Sequence, residues 1–94
     1  MVDWDRVTPA DVLGAVGEYD RQGAEDFFSA RGFGPATSYE LVVGRTRYPS
    51  KAILGAAYEV ATGHRLGSGD FGGGKGETVK ILERLGFEVK AIQR

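Results

Sequence analysis

The chain has 94 residues, of which 41% are hydrophobic and 27% are charged, a composition typical of one small globular domain. It contains no cysteine, which excludes a disulfide framework, a thiol nucleophile and a cysteine zinc site. The net charge of −1 conceals an asymmetry: residues 1–40 carry eight acidic and three basic side chains (−5), whereas residues 41–94 carry five acidic and nine basic ones (+4), which hints at a side that faces a polyanion.

Two helices are predicted in the first third of the chain. Thr8 suits an N-cap, Pro9 suits the first helical position, and apolar residues follow at helical spacing. We therefore expect a helix that begins at Pro9 and ends near residues 20–22, where Gly23 stops it. A shorter helix is predicted over roughly residues 23–30, and a loop follows it.

A β-hairpin is predicted next. Residues 38–43 form a strand candidate, and residues 46–49 form a short return strand, since Pro49 cannot donate to a sheet. Gly44 and Arg45 lie between them and match a two-residue turn of type II′, which favours glycine at its first central position.

The strongest helix signal spans residues 50–63, with Ser50 as a possible cap and Gly63 as the stop. Its broad face of small apolar residues permits a close neighbour, so we expect this helix to be central. A glycine-rich loop follows. A last helix over roughly residues 76–85 and a strand over residues 87–92 complete the chain.

The predicted order is therefore α-α-β-β-α-α-β. We predict one α+β domain over residues 1–94, in which residues 1–35 are a helical lead-in and residues 36–94 hold the hairpin, central helix, glycine-rich loop, last helix and last strand. Its three strands would form a mostly antiparallel sheet with helices packed on one face. No apolar segment resembles a membrane span or a signal peptide, so we expect a cytoplasmic protein.

Catalytic chemistry has little support in the sequence. His64 is the single histidine, and no second histidine is present to share a metal ion with it. No serine lies in a strand-to-helix elbow, and no pair of carboxylates is marked out as an acid and base couple. We therefore predict a protein that is not an enzyme and needs no metal or cofactor.

Anion binding has better support. The first amide groups of a helix lack partners within the helix, and its dipole makes that end positive, so a phosphate is favoured there. Two predicted helix starts carry basic side chains, and aromatic side chains nearby suit nucleic acid. The predicted DNA-binding residues are Arg45, Arg47, Tyr48, Ser50, Lys51, His64, Arg65, Gly73, Gly74 and Lys75.

The glycine-rich loop leaves two alternatives open. Its segment from Gly69 to Lys75 fits most of a nucleotide-binding P-loop, but Gly76 stands where that motif has serine or threonine and no clear strand leads into it. We do not expect it to bind ATP or GTP. Its backbone either approaches a phosphate closely or serves as a flexible connection.

Several short motifs resemble one known family. They are Tyr48-Pro49-Ser50-Lys51-Ala52-Ile53, Ala56 and Gly63, Asp70-Phe71-Gly72-Gly73-Gly74, and Leu85-Gly86-Phe87 with Val89. Over roughly residues 36–90 the chain is similar to the ScoMcrA-like N-terminal head domain of modification-dependent (Type IV) HNH restriction endonucleases. Gly72 departs from the pattern, which has serine there, so a hydroxyl that could meet a phosphate is absent.

The resemblance implies DNA recognition in phage defence, with cleavage by an HNH domain whose metal motif these residues lack. The chain would be the N-terminal recognition domain of such an enzyme or a stand-alone relative. Its partners would be DNA, possibly modified, and the nuclease or other recognition domains. The alternative is a protein-interaction domain that packs against a nuclease or partner chain, which the near-zero net charge and the alanine-rich helix face favour.

Overall fold

The structure is a computed structural model that describes residues 2–36 and 38–92. Thr37, the last residue of the predicted loop after the second helix, lies outside this part of the chain. The described residues form a 3₁₀ turn (Trp4–Arg6), the helices α1 (Pro9–Gln22), α2 (Ala24–Arg31), α3 (Ser50–Thr62) and α4 (Thr78–Arg84), and the strands β1 (Tyr39–Val43), β2 (Thr46–Pro49) and β3 (Glu88–Ala91). The predicted order of helices and strands is confirmed, and the 3₁₀ turn was not predicted.

The strands form one antiparallel sheet in the order β2-β1-β3. Leu41 in the central strand lies opposite Tyr48 in β2 and Val89 in β3, and it is fully buried beneath the helices. Gly44 has a φ of 60°, whereas Arg45 has a negative φ, which agrees with a type II′ turn and not with type I′. The predicted α+β fold with helices packed against a small sheet is confirmed.

The start of α1 follows the predicted capping chemistry. The Thr8 hydroxyl accepts the Asp11 amide at 3.3 Å, and the Asp11 carboxylate accepts the Thr8 amide at 2.9 Å. This reciprocal capping box satisfies two amides at the helix start. Gly23, with a φ of 84°, ends the helix as predicted.

Two other helix starts differ from the prediction. Pro49, and not Ser50, is the N-cap of α3, and the Ser50 hydroxyl donates to the Tyr39 carbonyl at 3.0 Å. That hydroxyl therefore joins α3 to β1 and does not cap the helix. The last helix begins at Thr78, later than predicted, because residues 75–77 form a turn in front of it.

The core surrounds α3, whose residues 52–58 are all buried. Its Ile53 and Leu54 are fully buried together with side chains from four neighbouring elements, which are Val12, Phe27, Leu41 and Leu82. The central position predicted for α3 is therefore confirmed. Among the helices of the described residues, none is long and apolar enough to cross a membrane.

Candidate nucleic-acid interface

A cavity of about 420 Å³ opens at the start of α3. The segment after α2, the first residue of β1, the start of α3 and the glycine-rich loop all contribute to its walls. The described residues that line it are Phe33, Gly34, Pro35, Ala36, Ser38, Tyr39, Pro49, Ser50, Lys51, Ala52, Ser68, Gly73 and Gly74. The structure therefore brings the α3 start and the glycine-rich loop, which the sequence indicated as two separate sites, to one cavity.

Lys51 fixes the glycine-rich loop against α3. Its Nζ donates to the Ser68 carbonyl and lies 5.3 Å from the centroid of the Phe71 ring, a distance at which a cation is attracted to an aromatic face. An ammonium group has three N–H donors, so one bond to Ser68 leaves two for a ligand. Lys51 is thus held in place and still able to bind an anion.

Gly73 lies against the stem of the lysine side chain. A Cβ atom at Gly73 would lie 3.2 Å from Cδ of Lys51, closer than nine in ten real contacts of this kind, so the lysine stem would have to shift by a few tenths of an ångström. The close backbone approach expected of this loop is therefore made to Lys51. At Gly74 a Cβ would meet nothing within 4 Å, so that glycine is open to the cavity.

The start of α3 adds positive potential to the cavity. Ser50 and Ala52 are almost fully buried, whereas Lys51 is half-buried. Among the described residues, no side chain caps this helix and none in its first turn is acidic, so the positive end of its dipole is not neutralised from within the helix. This end and the Lys51 ammonium favour an anionic ligand.

Glu77 anchors the other end of the glycine-rich loop. Its carboxylate accepts the Gly72 amide at 2.7 Å and the Trp4 indole N–H at 3.0 Å, and the Thr78 hydroxyl donates to the Gly72 carbonyl at 2.6 Å. The bond from Gly72, followed by that from Trp4, lowers the pKa of Glu77 below its usual value. The loop wall of the cavity is therefore tied to the N-terminal turn and to α4.

The hairpin arginines lie outside the cavity. Arg47 lies opposite Val42 on the sheet face that points away from the buried Leu41, and its Nη1 is 3.5 Å from a carboxylate oxygen of Glu40. Arg45 is exposed in the turn, at the other end of β1 from the cavity, about 13 Å along the strand.

Tyr48 lies in the core. It is 5% exposed, and its hydroxyl donates to Asp20, 3.1 Å from each carboxylate oxygen. Burial, and then this carboxylate, raise the pKa of Tyr48 above its usual value. In this position the ring joins β2 to α1 and is not available to stack on a base.

Tyr39 lines the cavity together with Phe33, and it was missed as a site residue. The alternation of β1 placed Tyr39 on the face of Leu41, at the first position of the strand. That pattern could have located its ring at the margin of the core, but only the pairing of Glu40 with Pro49 brings it beside the start of α3.

Comparison with known proteins gives a family for this fold and site. The family model described as "ScoMcrA-like, N-terminal head domain" matches residues 5–91. The chain belongs to this family. The head domain is also similar to the solved structure of the Type IV phosphorothioation-dependent restriction endonuclease ScoMcrA, with a TM-score of 0.70 and 30% identity over 95% of this chain and 14% of that one. No curated protein matches the head domain.

The resemblance seen in the sequence is thereby confirmed and lengthened. The sequence motifs covered roughly residues 36–90, whereas the family match begins at residue 5 and includes α1 and α2. The head domain spans about a seventh of the length of the solved relative.

Two of the remaining predicted contacts of the head domain lie away from the cavity, and the third lies beside it. His64 and Arg65 follow α3 at its far end, about 20 Å from Ser50 for a helix of 13 residues. Arg65 donates to Glu59 at 3.2 Å and to the Ala30 carbonyl at 2.9 Å, which joins α3 to α2. Lys75 lies beside Gly74 and, with Tyr39, lines a neighbouring pocket against α4 and β3.

The predicted residues thus fall into four places in the head domain, one of which is the far end of α3 with His64 and Arg65. The cavity holds Ser50, Lys51, Gly73 and Gly74, with Lys75 next to it. The hairpin carries both of its arginines on the surface, and Tyr48 is in the core. Across the described part of the chain, no group of three His, Asp or Glu side chains is placed to hold a metal ion.

Proposed function

We propose that this head domain is a non-catalytic DNA-binding module, the N-terminal recognition domain of a modification-dependent HNH restriction endonuclease or a stand-alone relative, acting in phage defence. Family membership supports the link to restriction enzymes, since the solved relative is a phosphorothioation-dependent restriction endonuclease. The partners proposed are DNA, possibly modified, and the nuclease or other recognition domains of the same enzyme.

The charge of the cavity carries the proposal. Among the described residues that line it, Lys51 is the one charged side chain and none is acidic, although acidic side chains outnumber basic ones in the whole chain by 13 to 12. A concave site with a fixed lysine, a helix start and glycine backbone favours a phosphate group.

The hairpin extends this positive surface. Arg45 and Arg47 lie within about 13 Å of the cavity end of β1, which corresponds to about four nucleotide steps at 3.4 Å along one strand. In the proposed complex these arginines bind phosphates several nucleotides away from the one held at Lys51. Arg47 exchanges its exposed ion pair with Glu40 for a phosphate at little cost, since such pairs stabilise a protein only weakly.

A gel-shift titration at two salt concentrations tests this proposal. Replacing Lys51 by alanine is expected to weaken binding to every duplex sequence and to reduce the slope of log affinity against log salt by about 0.9 for the lost phosphate contact. The matched control is Lys90→Ala, which removes the same charge from β3, where Lys90 pairs with Glu88 at 3.4 Å. DNA binding that does not change with salt, or an equal effect of both variants, would contradict the proposal.

Preference for modified DNA is tested separately. Unmodified, methylated and phosphorothioated duplexes of one sequence are compared at a single salt concentration. A preference for one modified duplex supports the recognition of modification, and equal affinities assign that recognition to other domains of the enzyme.

One observation favours a second function, the docking of a protein partner. Leu13 and Val60 are 49% and 54% exposed, and they lie where α1 crosses α3, since a Cβ at Gly14 would be 4.0 Å from Val60. This apolar pair lies at the end of α3 that is far from the cavity. If docking is the function, Leu13→Asp abolishes co-purification with a nuclease domain, and DNA binding shows no dependence on salt.

A further inference from the structure

We infer that the cavity at the start of α3 receives one unstacked nucleotide of a DNA strand, with its base against Tyr39 and its phosphate at Lys51. This inference rests on the proposed function and names the form of DNA that the same site takes.

The two kinds of residue that line the cavity match the two parts of a nucleotide. The lining includes the rings of Phe33, Pro35, Tyr39 and Pro49, together with Lys51, the hydroxyl-bearing Ser38 and the glycine backbone. A site for a phosphate alone has no use for an apolar wall, and a site for an apolar side chain has no use for a fixed cation. A nucleotide has a flat apolar base beside an anion, and unstacked bases bind to aromatic side chains.

The shape of the cavity suits a single nucleotide better than the side of a duplex. DNA grooves are read by elements that project into them, such as a helix that enters the major groove of about 12 Å width. Here the start of α3 is recessed, since Ser50 is 2% and Ala52 is 1% exposed. A concave volume of about 420 Å³ lies within the range of sites that enclose one small ligand, and it suits a base that has left the helical stack.

The walls are fixed before any ligand arrives. Tyr39 belongs to the central strand, where it lies opposite Ala91, and its carbonyl is bonded to the Ser50 hydroxyl. The ring of Phe33 lies directly on Gly55 of α3, at the position that a Cβ would approach to 2.7 Å. A preformed pocket loses little conformational freedom on binding. The main free-energy cost of binding is therefore that of unstacking the base.

The test compares four probes: three DNA molecules that contain the fluorescent base 2-aminopurine, and the free mononucleotide of that base. They are a perfect duplex, the same duplex with the base in a one-nucleotide bulge, the single strand, and the free deoxynucleoside monophosphate. We expect the bulged duplex and the single strand to bind more tightly than the perfect duplex, because their base is already unstacked. We also expect a change in 2-aminopurine emission when any DNA probe binds.

Variants at Tyr39 separate stacking from charge. Tyr39→Ala is expected to lower affinity for the bulged duplex by about 5- to 150-fold, the loss of one base–aromatic stack, and Tyr39→Phe is expected to preserve it. Should Tyr39→Ala unfold the domain, Ala36→Trp provides a second variant that fills the cavity without removing a core side chain, and it should weaken binding of the bulged duplex in the same way.

The outcomes distinguish the inference from the proposed function. Equal affinity for perfect and bulged duplexes, with no change in emission, overturns the inference and leaves salt-dependent DNA binding intact. Failure of the folded domain to bind any DNA probe overturns both. If the free mononucleotide binds as tightly as the single strand, the cavity is a site for a small nucleotide, and the assignment to DNA is overturned.

Discussion

Replacing Gly55 by alanine tests the close packing that positions the aromatic wall of the cavity. A Cβ at this position would lie 2.7 Å from Cζ and 3.1 Å from Cε2 of Phe33, and 3.4 Å from Cζ of Phe71. Both rings are buried, with exposures of 7% and 6%, so neither can move away freely. Overpacking of this kind costs about 1–3 kcal/mol.

The helix itself opposes part of that cost. Alanine is favoured over glycine in the middle of a helix by about 0.5–1 kcal/mol. The expected net loss in the free energy of unfolding is therefore about 1 kcal/mol, which lowers Tm by about 4–8 °C in a domain of this size. The matched control is Gly14→Ala in α1, whose nearest contact would be Val60 at 4.0 Å. That variant should gain about 0.5–1 kcal/mol.

Urea unfolding followed by the fluorescence of Trp4, the single tryptophan, measures both variants. Its ring lies 5.1 Å from that of Phe71 and 5.4 Å from that of Tyr58, so its emission reports on the packing around α3. If Gly55→Ala proves as stable as the unmodified protein while Gly14→Ala is stabilised, the aromatic contact at Gly55 does not constrain the fold, and the argument for a preformed wall fails.

Two further predictions concern groups with shifted pKa values. Tyr48→Phe removes the hydroxyl bonded to Asp20 and should cost about 0.5–1.5 kcal/mol in urea unfolding at neutral pH. Because the pKa of Tyr48 is raised, its contribution to the free energy of unfolding is complete below the unfolded pKa of about 10 and is lost as pH rises through the folded pKa. Tyr48→Phe should therefore flatten the loss of stability at alkaline pH. An unchanged alkaline slope would contradict this. The pKa of Glu77 is lowered, so the contribution of this carboxylate to the free energy of unfolding is present above the unfolded pKa of about 4.5 and is lost as pH falls through the folded pKa. Glu77→Gln should therefore reduce the acid dependence of the urea midpoint below that pH, and a midpoint that falls equally in both proteins would refute the role of this carboxylate.

Local chemistry made most of the fold predictable. The capping box at Thr8, the turn at Gly44 and the helix stops at Gly23 and Gly63 each depend on the conformation of a few adjacent residues. Gly86 likewise ends α4, where its amide bonds to Glu83. These positions are determined by backbone sterics and unpaired helix groups, which the sequence shows directly.

The errors came from partners distant in sequence. The Ser50 hydroxyl bonds to a carbonyl 11 residues earlier, and the Tyr48 hydroxyl bonds to a carboxylate 28 residues earlier. Neither partner can be inferred from local spacing. Ser50, which was predicted to cap α3, therefore joins two elements, and Tyr48, which was predicted to contact a base, lies in the core.

The candidate site was predictable in its parts and not in its assembly. Lys51 and Gly73 were each singled out from the sequence, one at a helix start and one in a glycine run. Their meeting depends on the path by which the loop returns along α3, which is fixed by the bond from Lys51 to Ser68 and by the anchor at Glu77. Tyr39 was missed for the same reason, since its place beside Pro49 results from strand pairing.

The strand order has a consequence for how the chain is made. While the polypeptide emerges from the ribosome, β1 and β2 can pair at once across their two-residue turn, but the other side of β1 pairs with β3, whose partner for Tyr39 is Ala91. The hydrogen-bonding groups on that side stay open until nearly the whole domain has been synthesised, and an open strand edge invites pairing with other chains. A nascent chain that stalls before β3 therefore carries an unprotected central strand, so that protection from aggregation in this domain depends on the synthesis of β3.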